Sequence, residues 1–109
     1  MIEPNQLVSV SITGPGDFLA GLTASLVRAR LAACGNIQPA IRSIYVWDGA
    51  IEDDTEALVT LHTTYRHVDA IIERTNLAHP YDTAQILATE IVAADTDYAA
   101  WVVAETMTD

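Results

Sequence analysis

The order of hydrophobic periodicities along the chain constrains its fold more than any other feature. Residues 8–13 alternate between apolar and polar side chains, which is the period of a half-buried strand. Gly14-Pro15-Gly16 ends this strand, and leucines then recur at helical spacing over residues 19–26. We expect this helix to end near Cys34, at Gly35 and Asn36. The chain therefore begins with a strand followed by a helix.

The next segment is apolar on both of its faces. A strand over residues 37–47 places Ile44 and Val46 on one face and Tyr45 and Trp47 on the other. Asp48-Gly49 is a strong signal for a tight hairpin, and residues 56–63 form the returning strand. A strand that is apolar on both faces must be covered on both. We therefore expect a second chain to cover one of them.

The remaining segments complete a recognisable order. Residues 68–75 have helical spacing, and His79-Pro80 ends that helix because the residue before a proline avoids the helical region. Residues 86–92 form a fourth strand, and Asp95 or Thr96 can cap a last helix. The apolar stripe of that helix is Tyr98, Trp101 and Val102. The order β-α-β-β-α-β-α predicts one α+β domain over residues 1–109, a ferredoxin-like split sandwich with an added C-terminal helix.

Composition excludes several functional classes. The chain has 15 acidic and 5 basic residues among its 109, and every basic residue is arginine. A net charge of -10 disfavours binding to nucleic acid and to anionic membranes. The single cysteine excludes an internal disulfide, and neither a signal peptide nor an apolar run of about 20 residues is evident. We therefore expect a cytoplasmic protein with no nucleic-acid or membrane partner.

Several stretches, in order and at matching spacing, resemble the CutA divalent-ion tolerance family. They are Arg30-Leu31-Ala32-Ala33-Cys34 with Asn36-Ile37, Ser43-Ile44-Tyr45 with Trp47, Gly49 and Ile51, His79-Pro80-Tyr81 with Ile86, and Asp95-Thr96-Asp97-Tyr98 with Trp101. The resemblance implies a ferredoxin-like protomer in a compact, cytoplasmic homotrimer that serves tolerance of divalent metals, copper above all. It implies no well-defined enzymatic activity.

The chain also departs from the family pattern. His62-Thr63 stands where the family usually has Lys-Thr, and Gln85 stands where it often has Glu. Ile12-Thr13 occupies the stretch where some members carry a second cysteine. A pair of cysteines within one subunit therefore cannot bind copper in this chain.

The resemblance carries metal binding over to Cys34 and His79. A thiolate and an imidazole suit copper, zinc or another divalent metal with soft character. The ferredoxin-like order, however, places Cys34 and His79 at opposite ends of the sheet, so they could meet only across a subunit boundary. A tight hairpin instead places His62 opposite about Gly35. We hypothesise a soft-metal site of Cys34 and His62; the alternative is a buried small Cys34 and an exposed strand residue His62.

A cleft with two aromatic side chains is expected at the other end of the sheet. Its predicted members are Thr13, Trp47, Glu52, His79, Tyr81 and Asp82. His79 with Asp82 or Glu52 could orient an imidazole as a base or a ligand. Alternatively, the aromatic residues pack between subunits and His79-Pro80 is a rigid turn. The acidic run 52–56 resembles a cluster for a hard cation, but it lacks the EF-hand spacing, and a solvated loop is the favoured prediction.

These observations leave three functional classes. The first is a trimer that protects against divalent metals by binding them. The second resembles PII-type signalling proteins and holds a small metabolite or nucleotide in clefts between subunits. The third is an enzyme that uses His79 with a carboxylate as acid and base.

Overall fold

A computed structural model describes residues 1–107. Its elements are β1 (Leu7–Gly14), α1 (Gly16–Arg28), β2 (Cys34–Trp47), β3 (Ala50–Thr64), a 3-10 turn (Tyr65–His67), α2 (Val68–Ala78), β4 (Ile86–Glu90) and α3 (Thr96–Glu105). Within the described part of the chain, no helix has the length and apolarity needed to span a membrane.

The four strands form one antiparallel sheet in the order β2-β3-β1-β4. This order confirms the predicted ferredoxin-like α+β fold with an added C-terminal helix. β1 and β3 occupy the centre, so β2 and β4 are the edge strands. β1 and β2 run in the same direction, which places the start of β2 at the end of the sheet opposite to the start of β4.

The core lies between one face of the sheet and the first two helices. Alternate residues of β1 and β3 are buried with the leucines of α1 and with Ile71 of α2. α3 contacts the opposite face. Leu61 and Thr63 are fully buried, so His62 between them points away from that core, and Tyr98 of α3 contacts His62. The sheet therefore has a helical layer on one face and a single helix at one end of the other.

The long β2–β3 hairpin turns at the predicted position. Asp48 and Gly49 both have positive φ, 50° and 77°, as a two-residue type I′ turn requires. The hairpin then contains a bulge in which Pro39 and Ala40 of β2 stand opposite Ala57 of β3. A proline has no N–H for the ladder, and an edge-strand bulge is where a sheet tolerates it.

The bulge changes the register beyond it by one residue. An uninterrupted hairpin would pair His62 with Gly35, but the structure pairs His62 with Cys34. The predicted register was therefore wrong by one position. Because directly paired residues share a face of the sheet, the correction brings the thiol and the imidazole side by side.

Four predicted boundaries were also wrong. β2 begins at Cys34, three residues before the predicted start. α1 ends at Arg28, and Arg30 adopts φ 62° while the Leu31 N–H donates to the Leu26 carbonyl, so an arginine fills the left-handed position expected of Gly35. The acidic run 52–56 lies in β3 rather than in a loop. β4 ends at Glu90, two residues early.

Gly35 is required by close packing. A Cβ at this position would lie 2.6 Å from Cγ2 of Thr23 and 2.9 Å from Cδ2 of Leu61, whereas a Cβ on Gly21 of α1 would meet nothing within 4 Å. We expect Gly35→Ala to lower the free energy of unfolding by about 1–3 kcal/mol through overpacking. Gly21→Ala should raise it by about 0.5–1 kcal/mol, because alanine favours the helix. Urea unfolding of both variants measures the difference, and equal effects would contradict the close packing at Gly35.

Candidate functional site

The structure places the predicted site residues in two groups at opposite ends of the sheet. Cys34 opens β2 and His62 lies near the end of β3, directly across from it. His79 precedes β4 and lies at the other end, beside Thr13 at the end of β1. Within one protomer, Cys34 and His79 are therefore apart, as the topology predicted.

The first group contains a third member, Tyr98. The Cys34 Sγ lies 3.5 Å from Nδ1 of His62 and 3.1 Å from the Tyr98 hydroxyl, and that hydroxyl lies 2.7 Å from the same Nδ1. The thiol, the imidazole and the phenol thus form a closed triangle. We call these three side chains the thiol cluster.

Helix capping positions Tyr98 in this cluster. Asp95 is the N-cap of α3, as predicted, and its Oδ2 accepts a hydrogen bond from the Tyr98 N–H at 3.0 Å. The Tyr98 ring packs against Trp101 with 5.6 Å between ring centroids. The sequence indicated Tyr98 as part of the family-like stretch 95–98 and of an apolar stripe, of which Val102 alone is fully buried. The capping signal at Asp95 marked where α3 begins, but nothing in the sequence indicated which strand its first turn would contact.

The Tyr98 phenol stays protonated in this environment. Burial, then its hydrogen bond with Cys34 and the charge of that group, raise the pKa of Tyr98 to about 12. The phenol can therefore donate a hydrogen bond to the sulfur or to the imidazole throughout the physiological range. It is a poor metal ligand in that state, because a metal binds the phenolate.

The separation of the thiol and the imidazole is that of a hydrogen-bonded pair, and it also fits two ligands on one metal ion. Zinc–sulfur and zinc–nitrogen bonds at a tetrahedral angle put the two ligand atoms about 3.6 Å apart. The observed Sγ–Nδ1 separation is 3.5 Å. Among residues 1–107, no group of three or more His, Cys, Asp or Glu side chains is arranged to hold a metal. One chain therefore offers two potential metal ligands here, with the Tyr98 hydroxyl next to both.

The second group lines a cleft of about 600 Å³ at the other end of the sheet. Four of the six predicted members line it, namely Thr13, Trp47, Tyr81 and Asp82, whereas Glu52 and His79 do not. The lining residues that the prediction missed are Tyr45, Asp54, Glu56, Pro80, Thr83, Ala84 and Gln85. We call this feature the aromatic cleft.

His79 contacts Tyr81 of the aromatic cleft but does not itself line the cleft. Its Nε2 lies 2.8 Å from the Thr13 carbonyl oxygen, so that nitrogen donates, and its Nδ1 accepts from the Tyr81 N–H at 3.1 Å. The ring also packs edge-on against Phe18. A Cβ on Gly14 would lie 2.9 Å from Nε2, so glycine permits this close approach. Metal binding or acid–base chemistry at His79 would require breaking one of these two hydrogen bonds.

Alternation along β3 explains the residues that the prediction missed. Tyr45 pairs with Glu52 and Trp47 with Ala50, so even-numbered β3 residues share the aromatic face of the hairpin. Asp54 and Glu56 are therefore on that face, and the Tyr45 hydroxyl donates to Oδ2 of Asp54 at 2.6 Å. Because residues 52–56 were predicted to form a loop, the strand alternation was not applied to them. The prediction therefore did not place these carboxylates in the cleft.

Comparison with known proteins assigns the family. The model of the family described as CutA1 divalent ion tolerance protein matches residues 9–105. The chain belongs to the CutA1 family. A CutA divalent-cation tolerance protein from Citrobacter koseri is 35% identical over 97 residues, covering 88% of this chain and 84% of the relative.

Solved CutA1 structures have the same fold. The divalent cation tolerance protein from Thermus thermophilus matches with a TM-score of 0.89 and 34% identity, over 93% of this chain and 99% of the other. CutA1 from Oryza sativa matches with a TM-score of 0.90 and 30% identity, over 95% and 96%. A CutA from Archaeoglobus fulgidus, 25% identical, is described as periplasmic. The cytoplasmic setting of this chain therefore stays a prediction.

The raised pKa of Tyr98 predicts a loss of stability at high pH. An unfolded tyrosine titrates near pH 10, whereas Tyr98 in the folded protein titrates near 12. Its contribution to the free energy of unfolding is complete below pH 10 and is lost as the pH rises through 12. Urea unfolding at pH 9 and 11 should show a smaller loss in Tyr98→Phe than in the unmodified chain. An identical loss in both would contradict the assignment.

Proposed function

We propose that the protein serves tolerance of divalent cations by binding copper, or another metal with soft character, through Cys34 and His62. The family assignment supports the general role. The observation that carries the metal assignment is the 3.5 Å separation of Sγ and Nδ1, which suits two ligands on one ion. Thiolate and imidazole are the donors that copper and zinc accept well.

The Tyr98 hydroxyl is the group that a bound metal would displace. It lies within hydrogen-bond distance of both ligand atoms. Because its pKa of about 12 keeps it neutral, it competes for the ligands without supplying a phenolate. Removing the hydroxyl should therefore leave metal affinity unchanged or increase it. A metal role for the cluster is therefore tested by comparing loss of the hydroxyl with loss of Cys34 or His62.

Titration with Cu(I) under anaerobic conditions, against a chromophoric chelator, tests the proposal. We expect Cys34→Ser and His62→Gln each to weaken Cu(I) binding by about tenfold or more, because each removes one of two ligands. Tyr98→Phe is the matched control, since it keeps the ring against Trp101 but lacks the hydroxyl. Unchanged affinity in Cys34→Ser would exclude the proposed site.

We propose further that the protein is a homotrimer, as the family resemblance implies. Support comes from the hairpin face opposite to the aromatic face. There, Ile44, Val46 and Ile51 are 63%, 68% and 77% exposed in the single chain. Leu87 of the opposite edge strand is also exposed. An apolar face of this kind beside an unpaired strand edge is what an interface between copies would cover.

Sedimentation equilibrium at micromolar concentration measures the assembly. We expect a mass of three times the 11.8 kDa of one chain. Ile51→Glu should dissociate the assembly, because it places a charge in the apolar contact. Leu77→Glu is the control, since Leu77 is 82% exposed on α2, away from the hairpin. A stable monomer of the unmodified chain would contradict the proposal.

A further inference from the structure

We propose that the aromatic cleft binds a small organic cation of the alkylammonium class. The juxtaposition that carries this inference is three aromatic rings and three carboxylates around one cavity. Tyr45, Trp47 and Tyr81 supply the rings, and Asp54, Glu56 and Asp82 supply the carboxylates. The site lies at the opposite end of the sheet from the thiol cluster and does not depend on metal binding there.

The two faces of the hairpin differ in charge. The aromatic face carries Asp54 and Glu56, and no lining residue of the cleft is basic. The hairpin's one arginine, Arg42, lies on the other face, where its Nε and Nη2 donate to the Asp53 carboxylate at 2.9 and 2.7 Å. The carboxylates of the cleft are therefore not neutralised by that arginine, and the cleft presents a negative potential to a ligand.

The aromatic rings suit the apolar part of such a ligand. A cation placed over the face of a tryptophan or tyrosine ring is attracted by the quadrupole of the ring, and the attraction is strongest when the cation sheds water easily. Alkyl segments between ammonium groups also gain from contact with the rings. The volume of about 600 Å³ falls within the range of small-molecule pockets.

The raised pKa values of two tyrosines in the cleft indicate the same negative environment. The pKa of Tyr45 is raised to about 12, chiefly by its hydrogen bond to Asp54, then by burial and by the charges of Asp54, Glu52 and Glu56. The pKa of Tyr81 is raised by burial first, and then by the neighbouring Glu56 carboxylate and the charge of Asp54. An environment that disfavours phenolate also disfavours anionic ligands.

The same features discriminate against two other ligand classes. A nucleotide would bring phosphates toward three carboxylates with no basic lining residue to receive them. A hard metal ion requires several oxygen ligands converging on one point. Over residues 1–107, no three His, Cys, Asp or Glu side chains converge in that way. Carboxylates spread around a cavity instead suit a cation whose charge is extended.

Isothermal titration of the intact oligomer with 1,4-diaminobutane at an ionic strength of about 0.15 M tests the proposal. We expect saturable binding, no binding of the neutral analogue 1,4-butanediol, and little competition by MgCl2 at equal ionic strength. Glu56→Gln should raise the Kd by about tenfold, because it removes a charge that faces the ligand. Asp54→Asn, which alters an exposed position, provides a second test should Glu56→Gln fold poorly.

Glu73→Gln is the matched control for the loss of one charge. Glu73 is exposed on α2, away from the cleft, and its substitution changes the net charge equally. Its Kd should stay within about twofold of that of the unmodified chain, since remote exposed charges are screened. The proposal is overturned if the diamine does not bind, if MgCl2 at equal ionic strength abolishes its binding, or if Glu73→Gln weakens binding as much as Glu56→Gln.

Discussion

The antiparallel pairing of β2 with β3 is the interaction on which both candidate sites depend. At one end of the ladder it places the thiol of Cys34 beside the imidazole of His62. At the other end it places two aromatic rings of β2 on the same face as the carboxylates of β3. A shift of one residue would move these side chains to opposite faces, because the side-chain period of a strand is two. The register therefore determines which side chains come together in each candidate site.

Two local features of the hairpin fix that register. The Asp48-Gly49 turn fixes the pairing near the tip, and the Pro39 bulge resets it before the ladder reaches Cys34. Without the bulge, Cys34 and His62 would be out of line, and the aromatic face near the tip would be unchanged. The hairpin thus separates into two segments whose registers are set independently, one for each site.

Much of the fold could be predicted because its signals are local. Alternation in β1, helical spacing in α1 and the Asp48-Gly49 turn each act over a few residues, and together they determine the topology. The end of α1 could not be predicted, because Arg30 takes a left-handed conformation that the sequence pattern assigns to glycine. Arg30 also donates to the carbonyls of Ala104 and Met107, so a tertiary contact accompanies this local choice.

The candidate sites were predicted less completely, because they depend on contacts between distant segments. The proximity of Cys34 to His62 followed from counting along the hairpin, although the bulge altered the pairing by one residue. The contact with Tyr98 did not, since it requires the added helix to pack on the far face of the sheet.

His62 has the largest chemical consequence among the departures from the family pattern. A lysine at this position would be protonated at neutral pH, with a usual pKa of about 10.4, and a protonated amine cannot bind a metal. A histidine instead offers a ring nitrogen that can bind a metal. With its Nδ1 3.5 Å from Cys34, the histidine replaces a charged neighbour of the thiol with a second potential ligand. A metal role for Cys34 in this chain therefore does not require His79 from the other end of the sheet.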